Sequence, residues 1–225
     1  MKHRDTPATR AARLAMVADQ VQPRGIHHPL VVAAMQEVPR HLFVPQAMED
    51  RAYEDSPLPI GWDQTISQPF IVAYMTQALG LEGRETVLEI GCGSGYQAAV
   101  LSRIATRVYT VERIPQLARK AMAIFEDLGI TNIEVRVGDG TLGWEEKGPF
   151  DAILVTASGP RIPAPLSSQL GIQGTLVMPV GSRGQGQHIV RQTRISHETF
   201  KTDQLIGVAF VPLIGEYGWQ ENREG

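Results

Sequence analysis

The most restrictive feature of this sequence is a glycine-rich turn that directly follows an apolar stretch. Residues 87–90 read Val-Leu-Glu-Ile, glycines then occupy the alternate positions 91, 93 and 95, and a helix-forming stretch begins at Gln97. Glycine adopts positive φ angles and lets a ligand approach the backbone where a Cβ would clash. A strand, a glycine turn and a helix N-terminus together form a nucleotide site. We therefore expect an α/β fold with a nucleotide-type cofactor bound at this turn.

The spacing of the glycines indicates the class of cofactor. A dinucleotide fingerprint, G-x-G-x-x-G, requires its third glycine at the position that Tyr96 occupies. A G-x-G-x-G turn with an acid inside the preceding strand instead resembles the first motif of S-adenosylmethionine-dependent methyltransferases. This resemblance implies S-adenosyl-L-methionine as the cofactor and S-adenosyl-L-homocysteine as its product. The residues assigned to this part of the site are Glu89, Gly91, Cys92, Gly93 and Gly95.

Two further acids follow strand-like stretches. Glu112 ends the stretch 107–112, about 20 residues beyond the glycine turn, where a carboxylate accepts the ribose hydroxyls of a nucleoside. Asp139 lies between two glycines after the stretch 132–137, which suits a hydrogen bond to an adenine amino group. A solvated glutamate and an ordinary Asp-Gly turn are the alternatives. Arg113 and Gly140 are assigned to the cofactor site beside these acids.

Strand-like and helix-like stretches alternate from Thr86 onward. The strand-like stretches are 86–90, 107–112, 132–137, 151–156 and 174–180, and the helix-like ones are 94–105, 114–128 and 163–170. This alternation predicts a mostly parallel, doubly wound sheet. The stretches 188–196 and 204–213 read as two strands joined by a polar turn, which predicts an antiparallel C-terminal edge.

The first 80 residues have a different character. Residues 8–21, 29–37 and 70–79 are expected to be helical, and Tyr53–Gln68 carries prolines, glycine and polar residues without a period. This part offers little core of its own. We therefore expect a single domain over 1–225, with a helical cap and substrate segment at 1–80 and a cofactor-binding α/β core at 81–225.

Composition excludes several classes of function. The net charge of -3 gives no electrostatic footprint for nucleic acid and no polybasic membrane patch. The N-terminus lacks the apolar run of a secretory signal, and no stretch approaches a membrane span, so a cytoplasmic protein is expected. The single cysteine, Cys92, excludes an internal disulfide and is interpreted as a small buried filler. Histidines 3, 27, 28, 41, 188 and 197 show no ligand spacing, so no metal site is expected.

A polar segment before the helix 70–79 is the candidate substrate site. Pro69 suits the first helical position, which places Gln68 at the cap and Ser67 just outside it. A helix N-terminus attracts anions such as a substrate carboxylate. Local sequence alone leaves open whether Ser67 is only part of a helix start.

Three motifs carry a resemblance to one enzyme family. They are Val32 to Pro45 (VAAMQEVPRHLFVP), Gln64 to Pro69 (QTISQP) and Val87 to Tyr96, and Gly138-Asp139-Gly140, residues 150–153 and residues 210–213 continue them. Over residues 14–213 the chain resembles the protein-L-isoaspartate O-methyltransferases. The resemblance implies a Rossmann-like class I S-adenosylmethionine methyltransferase fold and a protein repair activity. The enzyme would methylate the free α-carboxylate of L-isoaspartyl residues in proteins and peptides, as a monomer, and the ester would cyclise to succinimide.

The resemblance also assigns residues. It makes Ser67 the active-site residue, assigns Thr65, Ile66 and Gln68 to the cofactor, and places the peptide beside Ser67, Val211, Pro212 and Leu213. Phe70 departs from the family, because some members have histidine there, and so does the tail 214–225.

Other functions are weighed against this one. A methyltransferase with a small-molecule or nucleic-acid acceptor remains an alternative, although residues 156–160 lack the Asn/Asp-Pro-Pro-aromatic run of amino-methylating enzymes. A nucleotide-binding module without catalysis is disfavoured by the presence of Ser67, Glu112 and Asp139, and a nicotinamide dehydrogenase by Tyr96. A carboxylate acceptor is already ionised at pH 7, which explains why no catalytic base is evident.

Overall fold

The computed structural model describes residues 5–181 and 186–220. His3 and the end of the tail, 221–225, lie outside the described residues. Helix α1, Pro7–Met16, begins at a capping box formed by Thr6 and Thr9, in which each side chain bonds the other's backbone N–H. It continues as a π-helical turn, Val17–Val21, and a 3-10 turn, Gln22–Arg24. The single helix expected over 8–21 is therefore present, with a change of pitch after Met16.

The rest of the N-terminal segment contains two helices and a hairpin. Helix α2 is Pro29–Glu37, and 3-10 turns follow at Arg40–Phe43 and Gln46–Arg51. Strands β1, Leu58–Gly61, and β2, Gln64–Ile66, form an antiparallel pair, and helix α3 is Pro69–Leu79. The sequence did not predict this hairpin, so the segment 1–80 is not purely helical.

A seven-stranded sheet forms the centre of the molecule. Its strands are β3 Thr86–Ile90, β4 Arg107–Glu112, β5 Ile133–Val137, β6 Phe150–Val155, β7 Leu170–Gly181, β8 Gln187–Arg194 and β9 Phe200–Val208. Between them lie α4 Tyr96–Ser102, α5 Pro115–Asp127 and α6 Ala164–Gln169. The spatial order is β5-β4-β3-β6-β7-β8-β9, parallel from β5 to β7 and antiparallel from β7 to β9. The mostly parallel sheet and its antiparallel edge are confirmed.

Two predicted elements end earlier than expected. Helix α4 stops at Ser102 and not at residue 105, and strand β9 stops at Val208 and not at residue 213. Beyond β9 the ladder is replaced by a side chain, because Gln187 accepts the N–H of Phe210 and donates to its carbonyl. Pro212, which has no N–H to donate, then forms only an isolated bridge with Ser158.

Both faces of the sheet are covered. Alternate residues of β6 point to opposite faces, so Ala152 and Leu154 join one hydrophobic cluster while Ile153 and Val155 join the other. The first cluster also contains buried residues of α1 to α5, and the second contains Leu166 of α6. The N-terminal segment therefore packs into the same core as one face of the sheet.

Candidate active site

The glycine turn joins β3 to α4 at the carboxyl edge of the sheet, and its three glycines all have positive φ. Gly91 has φ +93°, and a Cβ there would lie 2.4 Å from the Thr156 hydroxyl oxygen. Gly95 has φ +90°, and a Cβ there would lie 2.8 Å from the Phe125 ring. At Gly93, with φ +55°, a Cβ would lie 3.6 Å from the Ile60 side chain, which is an ordinary contact distance. Gly91 and Gly95 thus permit close packing, whereas Gly93 has room for a small side chain.

Glu112 connects the turn to the end of the neighbouring strand. One carboxylate oxygen accepts the N–H of Gly93 at 2.8 Å, and the other accepts the N–H of Ile114 at 2.8 Å. The side chain is buried. The carboxylate is therefore fixed beside the glycine turn.

A cavity of about 60 Å³, the cofactor cavity, lies at this edge of the sheet. Six residues that the sequence assigned to the cofactor line it: Thr65, Gly91, Gly93, Glu112, Arg113 and Gly140. Val211, Pro212 and Leu213, which were assigned to the peptide, line it as well, together with Gln64, Ile90, Val111, Thr156, Ala157 and Ile214. The Glu112 carboxylate suits the hydroxyls of a ribose, and the glycine backbone lets a ligand approach closely. The apolar side chains of Ile90, Val111 and Leu213 suit a base. The residues present therefore fit a nucleoside cofactor.

A second cavity, of about 260 Å³, opens next to Ser67 and is called the Ser67 cavity. It is lined by Pro57, Thr65, Ser67, Gln68, Ile71, Thr156 and residues 207–211. Thr65, Thr156 and Val211 line both cavities. Ser67 is half-buried, and within the described residues its hydroxyl has no hydrogen-bond partner. The two cavities are therefore adjacent, and Ser67 lies at the larger of the two.

The start of α3 is built as the sequence predicts. Gln68 is the cap residue and Pro69 occupies the first turn, so Ser67 lies just outside the helix. The Gln68 side chain donates to the carboxylate and the carbonyl oxygen of Asp55. The Gln68 amide therefore stabilises the start of the helix. Gln68 also lines the Ser67 cavity, but this hydrogen bond is made to Asp55 and not to a ligand. Ile66 is buried and lines a small cavity behind the glycine turn, together with Cys92.

Glu89 is brought near the turn but away from the cavities. It is completely buried, accepts a hydrogen bond from the Thr110 hydroxyl, and lines none of the described cavities. Burial raises the pKa of its carboxyl to about 8, and the nearby Glu112 acts in the same direction. Glu89 is therefore a neutral acid inside the sheet at pH 7 and does not contact the cofactor cavity directly.

The Asp139 carboxylate accepts a hydrogen bond from the C-terminal tail of the chain. One oxygen accepts the N–H and hydroxyl of Thr141, at 2.8 and 2.7 Å, and the other accepts the N–H of Glu216 at 2.8 Å. Asp139 does not line the cofactor cavity, whereas its neighbour Gly140 does. The structure thus gives this carboxylate a partner in the tail where the sequence suggested an adenine amino group.

Of the three C-terminal residues that the resemblance assigns to the peptide, one lies between the two cavities and two lie at the cofactor cavity. Val211 lines both cavities, and Pro212 and Leu213 line the cofactor cavity. Ser158 fixes this segment, because its N–H donates to Val211 and its carbonyl accepts the N–H of Leu213, each at 2.8 Å. The segment therefore forms a wall of the cofactor cavity as well as an edge of the Ser67 cavity.

Sequence reasoning did not assign Thr156, although it lines both cavities. Thr156 directly follows β6. It lies near the glycine turn only because β6 is next to β3 in the sheet, and the strand order cannot be seen in the local sequence. Cys92 is buried, and burial raises the pKa of its thiol well above its ordinary value. The thiol therefore stays protonated, in agreement with a filler.

Within residues 5–181 and 186–220, no three His, Cys, Asp or Glu side chains are grouped as a metal ion would need. In the same residues, no helix combines the length and the apolar character needed to cross a bilayer.

The sequence matches one family model over most of its length. Residues 12–218 match the model of protein-L-isoaspartate(D-aspartate) O-methyltransferase. The chain belongs to this family. The protein-L-isoaspartate O-methyltransferase of Syntrophotalea carbinolica is 56% identical over 213 residues, which cover 95% of this chain and 98% of that relative. Protein-L-isoaspartate O-methyltransferase 1 of Rhodopseudomonas palustris is 55% identical over 215 residues, covering 96% of this chain and 88% of that one.

Two solved structures have a similar fold. A protein-L-isoaspartate O-methyltransferase superimposes with a TM-score of 0.83 at 27% identity, over 93% of this chain and 67% of that chain. A Plasmodium falciparum structure bearing the same family name, in complex with S-adenosyl-L-homocysteine, gives a TM-score of 0.78 at 24% identity over 90% and 98% of the two chains. The expected class I methyltransferase fold is confirmed, and the family uses S-adenosylmethionine. Membership of the protein-L-isoaspartate O-methyltransferase family excludes the alternative that the chain is a nicotinamide dehydrogenase.

Proposed function

We propose that this chain transfers the methyl group of S-adenosyl-L-methionine to the free α-carboxylate of L-isoaspartyl residues in damaged proteins and peptides. The observation that carries the proposal is that the cofactor cavity and the Ser67 cavity share Thr65, Thr156 and Val211. A methyl donor in one cavity and a carboxylate in the other are therefore neighbours. The family membership of the chain supports the same reaction.

The composition of the Ser67 cavity suits an acceptor that is already ionised. None of the residues that line it has a side chain that titrates near neutral pH. A carboxylate carries its charge at pH 7 and needs no general base before it attacks a methyl carbon. An alcohol or amine acceptor would instead need a base in this cavity.

Ser67 is proposed to orient the acceptor. Its hydroxyl has no partner in the described residues, and it lies beside the N-terminus of α3, where the helix dipole favours an anion. In this proposal the backbone of residues 66–68 and 211–213 holds the peptide on either side. Catalysis is then mainly alignment, an effect that supplies up to about 7–11 kcal/mol.

Exclusion of water from the seam between the cavities assists the reaction. When bound, S-adenosylmethionine supplies a methyl group on a positively charged sulfonium. Charge is lost as a cation and an anion react, so water stabilises the reactants more than the transition state. The N-terminal segment forms one side of the Ser67 cavity, to which it contributes Pro57, Thr65, Ser67, Gln68 and Ile71. The methyl ester formed then cyclises to succinimide without further catalysis.

The proposed enzyme acts as a single domain and a monomer. Residues 1–80 supply Ser67 and residues 81–225 supply the glycine turn, and one hydrophobic cluster includes side chains from both segments. Both cavities are built from one chain. A buried, protonated cysteine agrees with a reducing cytoplasm. Sedimentation equilibrium and cell fractionation test these two points.

The decisive experiment compares matched acceptors. The protein is incubated with methyl-labelled S-adenosylmethionine and two peptides that differ only in isoaspartate or aspartate at one position. We expect base-labile methyl ester on the isoaspartyl peptide alone. Label on neither peptide would overturn the activity, and equal label on both would overturn its specificity.

A further inference from the structure

Thr156 follows strand β6 at the place where the glycine turn begins. Strands β3 and β6 are parallel neighbours, with Ile90 opposite Val155. The N–H of Thr156 continues this ladder by donating to the Ile90 carbonyl at 2.9 Å. The sheet register therefore places Thr156 directly beside Gly91.

The Thr156 side chain holds the first peptide of the turn. Its hydroxyl lies 2.6 Å from the Gly91 carbonyl oxygen and 3.0 Å from that of Ile90. On the other side, the N–H of Gly91 donates to the Val111 carbonyl at 2.8 Å. Glycine has wide freedom of φ and ψ, so the orientation of this peptide depends on such external partners. Gly91 is thus fixed between strand β4 and a single side-chain hydroxyl.

The same side chain lies where the cavities meet. Thr156 lines the cofactor cavity, the Ser67 cavity and the small cavity behind the turn, and Thr65 is the other residue common to these three. Since the one hydroxyl proton of Thr156 is directed to the turn's carbonyl groups, Thr156 has no proton left for a ligand. Any influence on a ligand by hydrogen-bond donation must therefore pass through the backbone of the turn.

We propose that Thr156 is a positioning residue for methyl transfer, which fixes the Gly91 carbonyl and thereby the wall that the glycine turn presents to the cofactor. This inference rests on the proposed function and adds a residue to it. The Thr156 side chain has two separate roles in this proposal. The hydroxyl sets the geometry of the turn, and the bulk of the side chain fills the seam between the cavities.

The test exchanges these properties one at a time. Thr156→Val keeps the shape and removes the hydroxyl, and Thr156→Ser keeps the hydroxyl and removes a methyl group. We expect the valine variant to bind S-adenosyl-L-homocysteine about tenfold more weakly by calorimetry, without peptide present, and the serine variant to bind within twofold of the natural chain. For the valine variant, kcat should fall while KM for the isoaspartyl peptide stays unchanged.

A matched control separates this role from a general loss of stability. Ser102 lies at the far end of α4 and its hydroxyl donates to the Ala99 carbonyl at 2.7 Å, so Ser102→Ala loses the same kind of bond away from the turn. It should lower the melting temperature as Thr156→Val does, yet keep the affinity for S-adenosyl-L-homocysteine. If the valine variant does not fold, Thr156→Ala is compared with Thr156→Ser instead, because these two variants differ from each other only in the hydroxyl.

Two outcomes overturn the inference. One is an unchanged dissociation constant for S-adenosyl-L-homocysteine when the hydroxyl is removed, and the other is an equal loss of affinity in the serine variant. Both concern binding of the cofactor product alone. They are therefore distinct from failure of the natural chain to methylate an isoaspartyl peptide, which would refute the proposed function instead.

Discussion

The carboxylate of Glu112 accepts the backbone N–H of Gly93 over 2.8 Å while it lines the cofactor cavity. Its second oxygen accepts the N–H of Ile114. One buried side chain thus joins the end of β4 to the glycine turn and the start of the loop before α5. Each carboxylate oxygen has a further lone pair, so these bonds leave room for two ribose hydroxyls.

Removal of this carboxylate should affect binding and stability together. We expect Glu112→Ala to weaken binding of S-adenosyl-L-homocysteine at least tenfold. We also expect it to lower the free energy of unfolding by about 1–3 kcal/mol, because two N–H groups lose a charged partner. Calorimetry and urea unfolding measure the two effects. Glu126→Ala, on the exposed side of α5, is the control, and an unchanged dissociation constant for Glu112→Ala would refute the ribose role.

Ser67→Ala should separate catalysis from cofactor binding. A hydrogen bond to a charged group contributes about 1.5–3 kcal/mol, so we expect kcat to fall roughly 10- to 100-fold. Because Ser67 does not line the cofactor cavity, affinity for S-adenosyl-L-homocysteine should stay within twofold. Ser168→Ala, at an exposed serine of α6, serves as the comparison. Full activity of the Ser67 variant would exclude the proposed role.

Most of the fold could be predicted because its signals are local. Helix α2 has the predicted bounds, since Pro29 starts it and Val38-Pro39 ends it. The β1–β2 hairpin was missed because its two-residue loop is Trp62-Asp63, both at positive φ, where Asn-Gly is the usual signal. Strand β9 was predicted to start and end too late, at 204–213, because an apolar stretch does not reveal that the Gln187 side chain replaces the ladder at Phe210.

The candidate site was likewise predictable only where its signals are local. The position of Gly93 and Glu112 at one cavity could be predicted from their spacing along the chain, because parallel strands bring their carboxyl ends together at one edge of the sheet. Thr156 was missed because its partner Gly91 is distant in sequence, and the contact depends on β6 lying beside β3. For Asp139, the sequence suggested a contact to adenine. It could not reveal the hydrogen bond from Glu216, because nothing in the local sequence indicates that the tail returns to this turn.

Asp139 should protect the backbone amide of Glu216, in the C-terminal tail, from hydrogen exchange. We expect Asp139→Ala to speed hydrogen exchange of the Glu216 amide at least tenfold, because that N–H loses its acceptor. Mass spectrometry of the C-terminal peptide or amide NMR detects the change. Asp203→Ala removes a surface carboxylate paired with Arg191 and should leave this amide unaffected. Equal exchange in the Asp139 variant and the natural chain would mean that the contact does not hold the tail in solution.

The glycines of the turn should respond differently to alanine. Gly93→Ala costs about 1–2 kcal/mol of unfolding free energy from its positive φ alone, since a Cβ there lies 3.6 Å from the Ile60 side chain. Gly95→Ala should cost a further 1–3 kcal/mol or so, because its Cβ meets Phe125 and Ala121 at 2.8 and 2.9 Å. Urea unfolding of both variants checks the order. Equal losses would contradict the packing role given to Gly95.

Glu89 should make stability depend on pH above the acid range. Its pKa is about 8 in the folded chain and near 4.5 when unfolded, so between these values the folded state binds more protons than the unfolded state. The free energy of unfolding therefore loses, from this group, up to about 1.4 kcal/mol per unit as pH rises through this window. We expect Glu89→Gln to remove this loss, so that its stability relative to the natural chain increases from pH 5 to pH 8. Glu134→Gln is the control, because Lys147 and Arg107 lower the pKa of Glu134 and move its titration below the window. Parallel stability curves for the natural chain and Glu89→Gln would show that Glu89 is ionised throughout.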